Sequence, residues 1–331
     1  MSSTSSTALS QENPRRAYDR PRLLLYTAGA VVLGVLIAGF WNYHLVDGFG
    51  KEIIAKGTIG DTAELAGSYS AHGSLFGVLF AAVAGLAATF TACNCVIFAM
   101  LPGLACSTES QGPSVRLTHV AGAFLGGVLA ICGLYGLVIG FLGPQGVEVL
   151  NARSARLAQA QATFTALGVV MVGWSLLELG LLTRWTRHLS DGTRQFFARP
   201  TTKAGLMGVL VGLFAVGRPF PVFRQFLSYA AEAGSPLYGA GVMMVQGAGV
   251  MMVQGAGQVL VMILLFALLV WAAGRKLGQW ARAKPHQPRL MSGLALLVGG
   301  TFFIYYWGLS LTFDIGFWGY KLGWYTGQVP T

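Results

Sequence analysis

Thr118-His-Val-Ala-Gly-Ala-Phe-Leu-Gly-Gly-Val-Leu-Ala-Ile-Cys-Gly-Leu-Tyr-Gly-Leu-Val-Ile-Gly-Phe-Leu-Gly143 contains no Asp, Glu, Lys or Arg. As a helix it would measure roughly 39 Å, longer than the ~30 Å hydrocarbon core of a bilayer. A water-soluble fold would have to wrap such a helix in protein on every side. Lipid does this at no cost, so the stretch predicts a membrane span.

The same pattern recurs on both sides of it. Apolar runs lie near residues 23–40, 73–101, 162–183, 204–230, 236–274 and 290–312, which makes seven in all. The composition agrees: 54% of the chain is apolar and only 10% charged. We therefore read an all-α integral membrane protein of about seven helices. A net charge of +10 would point to nucleic acid if the cations lined one face, but they fall in short segments between the apolar runs. The expected partner is the lipid bilayer and not nucleic acid.

Those cations also set the topology. Arg15 to Arg22, Arg116, Arg184 to Lys203 and Arg275 to Arg289 hold 15 of the 22 Lys and Arg residues, and all lie on one side if the spans alternate. The positive-inside rule makes that side cytoplasmic. The other seven are Lys51, Lys56, Arg153, Arg156, Lys321, Arg218 and Arg224. The expected organisation is then a cytoplasmic basic tail over 1–22 and a first helix over 23–42. An extracytoplasmic loop over 43–72, a six-helix domain over 73–312 and an extracytoplasmic tail over 313–331 follow. The 23–40 run exceeds the apolar core of a secretory leader, and no small-residue cleavage site follows in Trp41-Asn-Tyr-His44, so it is read as a retained helix in the cell's inner membrane.

Chemistry concentrates in two interrupted runs. Thr91-Ala-Cys93-Asn-Cys95-Val-Ile-Phe-Ala-Met-Leu-Pro102-Gly103 puts two thiols ahead of a helix-breaking Pro-Gly. A regular helix turns residues i and i+2 about 200° apart, so the pair converges only where the backbone unwinds. Gly217-Arg218-Pro219-Phe-Pro221 breaks a second run. Non-helical backbone within a bilayer must be buried in protein or line a cavity, and an ionisable side chain there, Arg218, marks a functional site. The two breaks are expected to face one another near the membrane midplane with Arg218 pointing inward, so that each satisfies the other's freed backbone groups. Cys106 and Cys132 stand alone and read as small apolar filler, His44, His72, His119 and Glu178 have no metal-ligand spacing, and no motif asks for a cofactor. Residues 239–246 recur verbatim as residues 247–254, which lengthens the sixth run by roughly 12 Å and reads as a duplication tolerated by tilt or a kink.

Residues 73–312 resemble the cytochrome c biogenesis protein CcdA and the transmembrane domain of the thiol-disulfide interchange protein DsbD. Cys95 with Pro102-Gly103 looks like the Cys…Pro-Gly opening of that family's first repeat. Gly217-Arg-Pro-Phe-Pro221, followed by Phe226-Leu227, Ala230, Gly234-Ser235 and Gly239-Ala240, looks like the opening of its second. The resemblance implies two inverted three-helix repeats, Ser74 to Thr183 and Ala204 to Leu311, with residues 23–42 as an added helix. It also implies a relay of reducing equivalents from cytoplasmic thioredoxin to an extracytoplasmic thiol protein, in cytochrome c or redox-protein maturation. The family's second cysteine has no counterpart, because Phe220, Val222 and Phe223 stand near its place. Cys93 and Cys95 are then the exchanging pair. The competing expectation, on the same fold, is a transporter of a small solute or a soft metal ion, since paired thiols suit soft cations and Arg218 suits an anion.

Overall fold

The structure, a computed structural model, describes residues 20–42, 45, 53, 56–60, 117–182, 199–217, 231, 235–241, 244 and 287–325. No strand occurs among them. Five long helices organise them: α1 Arg20–Gly39, α2 Leu117–Asn151, α3 Arg153–Glu178, α4 Pro200–Gly217 and α5 Gln287–Phe303. α5 continues through a π-helical stretch, Ile304–Ser310, into Leu311–Phe313. Four segments are long and apolar enough to cross a membrane: Pro21–Gly39, Gly122–Leu150, Arg153–Glu178 and Leu290–Phe313.

α2 and α3 extend beyond the apolar runs that announced them. Gly143 leaves the helical region at φ 65°, ψ −173°, and Pro144 follows it. Proline's fixed φ and missing N–H suit the first position of a helix, so the chain bends and resumes rather than ending. A single residue, Ala152, separates Asn151 from α3. α3 then opens on Arg153-Ser-Ala-Arg-Leu-Ala-Gln-Ala-Gln-Ala, which is polar but rich in strong helix formers. Hydropathy reads that stretch as a loop; propensity and packing make it a helix.

The pairwise contacts fix the helix directions. Phe124 of α2 lies against Gly208 of α4 and Ile131 against Gly212, so these two run parallel. Residues 235–244 cross α2 the other way, with Ser235 at Gly140, Gly239 at Gly136 and Met244 at Gly133. α3 and α5 are antiparallel: Thr165 meets Gly308, Gly168 meets Gly300, and the buried Ser175 hydroxyl donates to the Gly293 carbonyl at 2.7 Å. α3 also meets α4, through Phe164 on Phe214 and Thr163 on Gly217. α1 runs parallel to α5, from Leu23 near Leu290 to Trp41 on Phe302. Residues 23–42 are therefore packed into the bundle, with Gly34 pressed against the Val298 carbonyl and Thr301.

Phe164 sits at the centre. Its ring lies 4.8 Å from that of Trp307, 5.6 Å from Phe303 and 5.9 Å from Phe214, joining α3, α4 and α5 in one aromatic stack. In lipid such a core is held by close packing, because hydrocarbon outside is as apolar as the protein inside. That makes the closest approach informative. A methyl group on Gly168 would stand 2.7 Å from the Gly300 carbonyl oxygen, and one on Gly300 would stand 2.8 Å from the Gly168 carbonyl oxygen. Each helix uses the other's missing side chain.

Past α5 the chain turns back. Asp314 and Phe317 take left-handed φ values of 51° and 58°, which bends residues 314–317 toward the end of α1. Trp324 then stacks on Phe40 at 4.9 Å, and the Tyr325 hydroxyl donates to the Trp41 carbonyl at 2.8 Å. Burial raises the Tyr325 phenol above its usual value, against a hydrogen bond with the Tyr320 backbone, so it remains a proton donor at neutral pH.

Candidate functional site

Of the expected site residues, Cys93, Cys95, Pro102, Gly103, Arg218, Pro219 and Pro221 lie outside the described residues. Gly217 is described, and it is the last residue of α4. The break expected over Gly217–Pro221 otherwise falls outside the described residues. Cys132 is a buried free thiol in α2, only 2% exposed.

A helical carbonyl whose residue four places on is proline has no N–H partner from the chain's own ladder. Here the sequence removes two candidates, since Pro219 and Pro221 have no N–H to return to Ala215 and Gly217. The structure answers with a side chain. The Gln159 amide of α3 donates to the Tyr135 hydroxyl of α2 at 3.2 Å and reaches the Val216 carbonyl at 3.5 Å. Thr163, one turn further along α3, packs on Gly217, where a methyl group would stand 2.8 Å from the threonine Cγ2. Val216 and Gly217 are therefore seated between α2 and α3 on polar groups. Gly217 is level with Thr163, roughly 8 Å along α3 from Gly168, on the Arg153 side of the α3–α5 crossing.

Gln159, Tyr135 and Thr163 are the residues that sequence reading missed. Gln159 fell in a presumed loop, and the other two sat singly inside apolar runs. The available signal was the helix-forming stretch after Arg153, which places Gln159 and Thr163 four residues apart on one face.

One turn before Gln159 stands Arg156, half-buried, with its Nε atom enclosed and without a hydrogen-bond partner. No three His, Cys, Asp or Glu side chains gather into a metal set among the described residues. Comparison with protein-family models, with curated proteins and with solved structures gives no match. The chemistry must be argued from the chain itself.

Proposed function

We propose that this chain is a multi-pass inner-membrane thiol–disulfide relay, built on two inverted three-helix repeats with an additional first helix, N-terminus cytoplasmic and C-terminus outside. The observation that supports the architecture is the choice of partners. In two inverted repeats the equivalent helices meet antiparallel about a two-fold axis in the membrane plane. α2 pairs antiparallel with residues 235–244, and α3 with α5, and the Gly168–Gly300 contact is reciprocal, as a contact on such an axis has to be. The parallel pairs α2–α4 and α1–α5 are also what seven alternating spans require of these runs.

On this fold Cys93 and Cys95 exchange with a partner disulfide. Two electrons and two protons leave the dithiol, the partner is reduced to two thiols, and Cys93 and Cys95 close as a disulfide that cytoplasmic thioredoxin reopens. The helix break around Pro102-Gly103 supplies the unwinding the pair needs to meet. Labelling tests this directly. In a Cys106→Ala, Cys132→Ala background, the purified protein should yield no free thiol when oxidised and two after treatment with reduced thioredoxin. Two free thiols that resist oxidation would end the relay reading.

Transport of a small solute on the same fold is the second reading. The observation favouring it is the seat of polar groups, Gln159 and Tyr135, around the end of α4. Both readings require the same topology. Reporters fused at Gly192 and at Thr331 should register on the cytoplasmic and outer sides respectively, and a cytoplasmic Thr331 would remove the inverted-repeat alignment.

A further inference from the structure

Four costs gather in one short stretch after α5. Residues 304–310 wind as a π-helix, a form rare in folded chains that often accompanies function. The Ser310 hydroxyl at its end is 1% exposed and has no hydrogen-bond partner among the described residues. Thr312 shows the usual remedy, donating from Oγ1 to the Gly308 carbonyl one turn back at 2.5 Å. Ser310 instead lies against Gly316, where a side chain on the glycine would collide with its Oγ. Asp314 and Phe317 then take left-handed φ values that glycine alone adopts freely. The contacts that offset these costs lie further along the chain. Trp318 covers Gly39, Trp324 stacks on Phe40, and the Tyr325 hydroxyl donates to the Trp41 carbonyl. Phe317 reaches the core against Tyr306, but Trp324 remains 70% exposed even when stacked. Strain is thus stored at 304–317 and held by shallow contacts at the end of α1.

We propose that residues 314–325 are a strap that lifts off the end of α1 with the π-helical stretch as its hinge, opening the Gly39 end of the α1–α5 groove while the bundle stays folded. Rewinding residues 304–310 to α turns everything after them by about 100° and moves it by about 1.5 Å. Gly316 then leaves Ser310, whose hydroxyl can donate to the Tyr306 carbonyl as Thr312 does to Gly308. The closed state keeps more packing and the open state leaves fewer groups unmet, so the two lie close in free energy. The strap does not draw on thiol exchange, so it stands or falls apart from the relay.

Spin-label distances on the full chain in phosphatidylcholine nanodiscs test this, with Cys93, Cys95, Cys106 and Cys132 replaced by Ala. Nitroxides on Leu25→Cys and Leu322→Cys, both at exposed positions, report the strap against α1, and a pair on Val170→Cys and Met291→Cys reports the α3–α5 bundle. The strap pair should show two distances while the bundle pair shows one. Tyr325→Phe gives up the hydrogen bond to Trp41 and should raise the open-to-closed ratio about two- to tenfold. Adding Ser310→Ala removes a hydroxyl that is unmet in the closed state and should lower that ratio about fivefold or more. A hydroxyl whose cost is the same in both states would leave the ratio where it was. The proposal is overturned if the strap pair keeps a single distance in Tyr325→Phe, if Ser310→Ala leaves the ratio unchanged or raises it, or if the bundle pair splits together with the strap pair.

Discussion

Replacing Cys93 and Cys95 together by Ser should abolish thiol exchange across the membrane, to the background of protein-free vesicles. A serine hydroxyl neither ionises near neutral pH nor forms a disulfide, so no slow residual pathway remains. The single variants should behave differently from the double one. With one thiol left, attack on a partner disulfide still forms a mixed disulfide, but no second thiol resolves it. Each single variant should therefore trap its partner covalently, visible as a non-reducing gel shift. Cys132→Ala is the internal control: that thiol is 2% exposed inside α2 and should leave exchange unchanged. Solute uptake that survives the double replacement, with no exchange in the wild type, would move the assignment to transport.

The largest effect on folding is expected at the α3–α5 crossing. Gly168→Leu or Gly300→Leu forces a side chain into a space where even a methyl group meets a backbone carbonyl at 2.7 or 2.8 Å. Backbone cannot rotate away as a side-chain tip can, so the helices must separate, and the aromatic stack around Phe164 separates with them. Overpacking of this kind costs about 1–3 kcal/mol in ordinary cores, and the loss of neighbouring contacts places these variants at or above the top of that range. Gly173→Leu, one and a half turns from Gly168, faces open space and should be close to neutral. The reciprocity makes a sharper test. Once Gly168→Ala has pushed the helices apart, Gly300→Ala finds room already made, so the double variant should be less destabilised than the two singles added together. Unfolding midpoints in a fixed lipid would show this, and strict additivity would mean that the two glycines do not share one contact.

The apolar runs were legible because twenty uncharged residues leave few alternatives to a bilayer, and the described α1, α2, α3 and α5 lie where four of those runs are. The break expected after Gly217 rests on a local reason, since Arg218-Pro-Phe-Pro221 cannot continue a regular helix, and it falls outside the described residues. What the sequence hid was decided by other parts of the chain. Residues 153–161 look like a loop until α4 and Tyr135 supply something for Gln159 to hold. The chain has 46 glycines, and nothing local distinguishes Gly168, which closes a crossing, from Gly173, which faces open space. Arg156 read as one more outer cation, and only burial shows that its Nε lacks a partner. Residues 23–42 read as an additional helix, and hydropathy, which records how far a segment can span, says nothing about its seat against α5.

The stacking of Trp324 on Phe40, with the Tyr325 hydroxyl on the Trp41 carbonyl, has a bearing on biogenesis. α1 leaves the ribosome well before the surfaces that cover its far end, since Tyr325 follows Trp41 by 284 residues. Until then the groove at Gly34 and the end of α1 lack these partners, and the seam closes only when α5 and residues 314–325 arrive. Residues 314–325 thus work as a completion signal for this seam: a chain cut short before Trp318 would contain α1 to α5 and still present an open seam to quality-control proteases.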